Sequence, residues 1–202
     1  MLNLRVVITA VFLVILTCGC RPAASADNFQ NIQKKLFELR SYKCTADIVI
    51  FTNKNKTGYK INQYYTHPGK YRVEVIYPDF LKGVVMVSND KNVWVSNPSL
   101  TVKSTYYFDN FLNSTGNNTF LTEFFSNYVK SEKSQMAIKN KKYKLSTYIS
   151  NGNTYMDTEV LTIKPDGCPE SLEIFDHQAN LKILLSYKEF VMNPKLDNKL
   201  FE

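Results

Sequence analysis

The feature that most constrains this chain is a series of segments alternating strictly between apolar and polar residues. Tyr42, Cys44, Ala46, Ile48 and Ile50 alternate with Lys43, Thr45 and Asp47. Tyr59, Ile61, Gln63 and Tyr65 repeat the pattern after the polar turn Asn53-Lys54-Asn55-Lys56, and Tyr71, Val73, Val75 and Tyr77 repeat it after His67-Pro68-Gly69. A period of two places every second side chain on one face of a strand, so each segment buries one face and wets the other. Turns this short join neighbours in an antiparallel meander and leave no room for the crossover a parallel pair needs.

Further strands are expected at 84–87, 93–96, 100–108, 143–149, 155–163, 171–175 and 181–190, giving about ten. Val84 to Val87 is continuously apolar and suits a strand covered on both faces. Two helices interrupt the series. Phe29, Ile32, Leu36 and Leu39 recur at helical spacing and predict a helix over 28–40, with Asp27 as its N-cap. Phe120, Leu121, Phe124, Phe125 and Tyr128 predict a second over 119–131. Two helices among ten strands exclude a βαβ array. The expected fold class is α+β: a strongly curved antiparallel sheet, an open half-barrel, with helices on the concave side.

The N-terminus carries an export signal. Arg5 precedes Val6–Leu16, which is apolar apart from Thr9 and too short to span a bilayer. Leu16-Thr17-Cys18-Gly19-Cys20 then resembles a bacterial lipobox with Cys20 as the acylated residue. The expected organisation is a signal peptide over 1–19, a tether over 20–27 and one domain over 28–202. Ala24-Ser25-Ala26 offers an ordinary signal-peptidase site as the alternative. A diacylated Cys20 would hold the domain stably at a membrane.

Two cysteines remain for the domain, Cys44 and Cys168. One pair does not make a disulfide framework, and Cys44 sits on the apolar side of its strand, so a buried thiol is the simpler expectation. A zinc site from Cys44, His67, Cys168 and His177 lacks ligand spacing. His67 and His177 lie in turns, as do Asp79, Asp90, Asp109 and Asp166. The chain carries no HExxH, GxSxG or P-loop motif. No catalytic residue, cofactor or metal is therefore expected.

The net charge is +7, one lower once Arg5 leaves with the signal, and Lys139, Lys141, Lys142 and Lys144 form the densest basic cluster. Such a cluster suits either anionic headgroups and wall polymers or the solvated tip of a hairpin, the preferred expectation. No nucleic-acid-binding motif is present, and an exported chain is not expected to meet nucleic acid.

The lipobox cysteine, the first helix, the strand His67-Pro68-Gly69-Lys70-Tyr71-Arg72-Val73-Glu74 and the turn Asn89-Asp90-Lys91-Asn92-Val93-Trp94 together resemble the LolA/LolB-like lipoprotein superfamily. The turn departs from that family's pattern, since Asp90 is not followed by Gly. Within the superfamily the short, Lys/Asn-rich, cysteine-anchored chain resembles the clostridial germination lipoproteins. The resemblance implies a non-enzymatic, membrane-anchored partner that activates an N-acetylmuramoyl-L-alanine amidase during formation of muramic-δ-lactam in the spore cortex. It implies a place at the outer forespore membrane, and it carries over only Cys20 as a functional residue.

Three expectations about binding stand beside this. Exposed tyrosines such as Tyr64, Tyr106 and Tyr107 offer a partner surface. An edge strand allows a homodimer by strand exchange. The concave apolar face could instead hold a lipid or lipoprotein acyl chain, unless Phe29, Ile32, Leu36 and Leu39 fill it.

Overall fold

The computed structural model describes residues 24–89, 92–97, 102–107 and 121–202. The chain divides into two compact units, Met1–Lys35 and Leu36–Glu202. The described part of the first is helix α1, Ala24–Phe37, which runs on into the second unit. It starts earlier than the 28–40 expectation and ends sooner. Ala24 and Ala26 are strong helix formers, so residues 24–27, expected in the tether, take the first turn. Asp27 thus lies inside the helix, near its positive end, and does not cap it.

The second unit is built on one antiparallel sheet. Its strands are β1 (Ser41–Phe51), β2 (Lys56–Thr66), β3 (Lys70–Tyr77), β4 (Val85–Asn89), β5 (Asn92–Asn97), β6 (Val102–Tyr107), β7 (Gln135–Lys139), β8 (Lys142–Asn153), β9 (Met156–Ile163), β10 (Pro169–Phe175) and β11 (Leu181–Met192). Helix α2 (Leu121–Lys130) lies between β6 and β7 in sequence. The spatial order is β6-β5-β4-β3-β2-β1-β11-β10-β9-β8-β7. Two meanders, each made of sequence neighbours, therefore meet at a single long-range seam between β1 and β11.

The alternating pattern fixes which face is the core. The register aligns Tyr59, Ile48, Leu185, Leu172, Leu161 and Leu145 in one row across six strands. The last five of these are buried. A parallel row carries an aromatic ladder. Tyr42 stacks on Tyr65 at 5.5 Å and on Phe190 at 5.3 Å, and Phe190 meets Tyr187 edge-on at 5.8 Å. Such pairs add about 0.5–1.5 kcal/mol beyond their buried area.

Phe190 joins that ladder through a bulge. Thr45 pairs with Lys188 but Lys43 pairs with Val191, so β11 holds an extra residue opposite Cys44. Glu189 absorbs the irregularity at φ 50°, which keeps both Tyr187 and Phe190 on the core face.

The outer face is not wholly wet. After β11 the chain turns at Asn193, whose side chain accepts from the backbone N–H groups of Arg40 at 2.8 Å and Ser41 at 3.3 Å. The last residues form a 3-10 turn, Asn198–Phe201, lying over β3 and β4. Arg72 donates to the Leu200 carbonyl at 3.5 Å. Arg72 pairs in register with Val87, so this contact lies on the face opposite Tyr71. Phe201 and Val87 are both buried there. That explains the continuous apolar run at 84–87: β4 is covered on one side by the core and on the other by the C-terminus.

Strand β7 is the element that the sequence pattern misses. All five of its residues are exposed, so no burial imposes an alternation on them. The turn joining it to β8 has Asn140 at φ 53° and Lys141 at φ 62°. Two consecutive left-handed residues make a two-residue hairpin turn that Asn tolerates and Lys does not favour.

Replacing Lys141 by Gly is expected to raise unfolding stability by about 0.5–1 kcal/mol, read as a shift of the urea midpoint at constant slope. Replacing Phe201 by Ala is expected to cost about 3 kcal/mol in the same assay, and an unchanged midpoint would show that the C-terminal turn does not cover β4 in solution.

Candidate interaction surfaces

Cys20, the one residue that the sequence assigns a role, lies outside the described residues, as do Cys18, Asp90, Asp109 and Phe120. The side chains of Tyr106 and Tyr107 are likewise undescribed. The remaining candidates can be placed.

The Cys44 thiol is buried and that of Cys168 partly exposed, and no disulfide joins them. Burial pushes the Cys44 thiol up to about 12. His67 is exposed beside its Pro-Gly turn. His177 is exposed, with Nδ1 3.8 Å from Asp157. Asp166 and Asp176 are turn-forming carboxylates: Asp166 accepts from the Cys168 N–H, and Asp176 accepts from the N–H groups of Gln178 and Asn180. Burial opposes the charge on Asp176, but bonds from Asn180, Lys182 and Gln178 outweigh it and draw the carboxyl down to about 2. Among the described residues no group of three His, Cys, Asp or Glu side chains is arranged to hold a metal.

The basic cluster is the expected hairpin tip. Lys142 pairs with Glu170 at 2.7 Å and Lys144 with Glu173 at 3.8 Å, both partners on β10. These pairs neutralise half of the cluster on the outer face. Lys139 and Lys141 remain exposed at the turn.

Three surfaces can meet another molecule. The first is the pair of sheet edges, β6 and β7, each hydrogen-bonded to one described strand only. On β7, Met136 and Ile138 are 41% and 48% exposed. An apolar edge strand with free N–H and C=O groups is a template for strand addition. The second is a shallow outer-face groove of about 300 Å³ at the β11 bulge, lined by Lys43, Thr45, Asn62, Tyr64 and Glu189. Tyr64, expected as an exposed contact, is half-buried in it.

The third is a cleft of about 640 Å³ at the end of the sheet where β1 passes to β2 and β8 to β9. Ile50, Phe51, Met156 and Ile183 line it, with Lys54 and Lys182 at its sides. Tyr155 at the β8–β9 turn is 71% exposed.

A fourth feature is internal. Helix α2 buries Leu121, Phe124 and Asn127, spaced three apart on one stripe. Phe124 packs edge-on against Phe125 at 5.6 Å, and Phe125 meets Phe37 at 5.9 Å. The Asn127 side chain donates to Glu159 Oε1 at 2.9 Å and accepts from the Ser150 N–H at 3.2 Å. Thr147 donates to the Asn127 carbonyl at 3.3 Å. Glu159 is fully buried. Burial pushes its carboxyl up to about 7, Asn127 opposes that rise, and the charge of Glu123 adds to it. The sequence signal for this pair was the phase of each residue. Glu159 shares its face with Leu161 and Ile163, and Asn127 shares its stripe with Phe124.

The Bacillus subtilis (strain 168) protein described as sporulation protein YdcC is 24% identical over 201 residues, which is 96% of this chain and 58% of that protein. The chain thus spans little more than half the length of that relative. Among solved structures, a chain from the CwlD amidase of Clostridioides difficile in complex with the GerS lipoprotein superposes with a TM-score of 0.53 at 24% identity. The match covers 86% of this chain and 98% of that one. The LolA superfamily protein NE2245 of Nitrosomonas europaea gives 0.46 at 14% identity, covering 86% and 96%. The family described as "Sporulation protein YdcC-like" matches residues 1–201, so this chain is a member of the YdcC-like sporulation protein family.

Proposed function

We propose that this chain is a non-catalytic lipoprotein, anchored through Cys20, that binds and activates an N-acetylmuramoyl-L-alanine amidase of the spore cortex. In this reading it acts at the outer forespore membrane and supports muramic-δ-lactam formation ahead of germination. The observation that carries the proposal is the likeness, over nearly the whole of the matched chain, to a structure in which the GerS lipoprotein is held with an amidase. Two further features support it. Asp166 and Asp176 accept backbone N–H groups in their own turns, Glu170 and Glu173 pair with Lys142 and Lys144, and Glu159 is buried against Asn127, so these carboxylates serve the fold. The two sheet edges offer backbone groups to a partner strand. The same edges suit a second copy of the chain exchanging a strand. A scaffold that binds only the active state of an enzyme raises the population of that state by linkage, with no chemistry of its own.

The test uses the Cys20→Ala soluble chain, the amidase from the same organism and cortex peptidoglycan. The chain alone is expected to release no product, and its addition to the amidase is expected to raise the rate saturably. Identical amidase rates with and without the chain would remove the proposal.

A second reading, favoured by the end cleft, is a carrier for an acyl chain. Its volume and its apolar lining of Ile50, Phe51, Met156 and Ile183 fit a small-molecule site. Native mass spectrometry of the chain purified from cells is expected, on this reading, to show a lipid adduct. Substituting Ile183 by Glu is expected to abolish it. A bare protein mass in both cases would discard the carrier.

A further inference from the structure

Helix α2 is short, and a buried acid holds it to the sheet. Its ten residues bury three side chains: Leu121, Phe124 and Asn127. Two of those contacts are apolar. The third is the hydrogen bond from Asn127 to Glu159 Oε1. The other oxygen of Glu159, Oε2, is buried and has no hydrogen-bond partner among the described residues, and the same is true of the Tyr187 hydroxyl.

The groups facing Glu159 are few. On α2 they are Asn127 and the carboxylate of Glu123; on β11, the neutral phenol of Tyr187. Its register neighbours are Thr147 on β8 and Ile174 on β10, both uncharged. Among the described residues no lysine, arginine or histidine is paired with it. The site therefore accommodates a neutral carboxyl group, which can donate from Oε2. A carboxylate there would be an unpaired charge in an apolar interior, next to a second negative group.

The cost of ionising Glu159 can be relieved in only one direction. The strand bearing it is fixed by its neighbours β8 and β10. The helix is fixed by contacts along two turns, by the bonds from Thr147 and Ser134 to its carbonyls and by the Ser150 N–H to the Asn127 side chain, few enough to give way before the paired strand does. Water reaches the carboxylate with the least disruption if α2 moves away.

We propose that α2 is a proton-controlled latch: it closes on the core face of β8 and β9 while Glu159 is neutral and lifts when Glu159 ionises, uncovering apolar surface beneath Leu121 and Phe124. The inference does not depend on which partner the protein binds. The sign follows from the two states. The carboxyl of the lifted form ionises at its ordinary value and that of the closed form at about 7. Closure is therefore fully favoured below the ordinary carboxyl range, weakens as pH rises through it, and has lost the whole contribution once pH passes 7.

The experiment is amide hydrogen exchange on the whole chain at pH 5 and pH 8, each corrected for the intrinsic exchange rate. Protection of the 121–130 amides is expected to fall on the order of 50-fold between the two, while the amides of β1 keep theirs. The Glu159→Gln chain retains the acceptor for Asn127 and cannot ionise, so it is expected to show equal protection at both pH values. Three results would each overturn the latch: a pH-independent α2 in the natural chain, a persistent pH dependence in Glu159→Gln, or an equal loss of protection in β1. If Glu159→Gln does not fold, the comparison of α2 with β1 in the natural chain decides the matter alone.

Discussion

Everything in the second unit hangs on the pairing of β1 with β11. The strands β1 to β6 form one local meander and β7 to β11 another, and each forms from sequence neighbours. Within the sheet, among the described residues, the first and last strands alone pair the two halves, as in Ile48 with Leu185 and Ala46 with Tyr187. Loop closure over nearly the whole domain must precede those contacts, so this seam carries the entropic cost of the topology. The residues placed there are suited to repaying it. Tyr42, Ala46, Leu185 and Tyr187 are buried, and Tyr42 stacks on the ring of Phe190.

The bulge at Glu189 belongs to the same logic. Without an extra residue in β11, a strict alternation after Tyr187 would place Glu189 in the core and turn Phe190 out. A single left-handed residue reverses the phase and returns an aromatic ring to the ladder. The backbone strain at Glu189 thus stands against an aromatic contact of comparable size together with the apolar area that Phe190 removes from water.

The second half of the sheet is less uniformly apolar than the first impression of its sequence suggests. Glu159, Thr147 and Asn127 place a polar inclusion directly under α2. An apolar set of the same volume would hold the helix more firmly, since a half-satisfied buried carboxyl contributes little net stability. What the inclusion adds is dependence on protonation, in the element that covers the core face. The β7 edge begins five residues after α2 and pairs with β8, the strand that α2 packs on, so one of the surfaces open to a partner adjoins the element sensitive to pH.

Several features were legible in the residues alone. The alternation in β1, β2 and β3 determines both their strand character and their wet and dry faces, because burial on one side forces a period of two. The Asp and Asn turns were readable for the same reason: Asp166 and Asp176 bond their own backbones locally. The buried state of Cys44 followed from its phase, and the solvated state of His67 from its turn. What required the tertiary structure was every feature set by a distant partner. Strand β7 has no burial to impose a pattern, so only its pairing with β8 defines it. The 84–87 run needs the C-terminal turn to explain its second apolar face. Glu159 and Asn127 lie 32 residues apart, and nothing in either segment announces the other. A sequence records the local rules of strand, turn and helix in each stretch, while a contact between remote stretches exists only once the seam between β1 and β11 has closed.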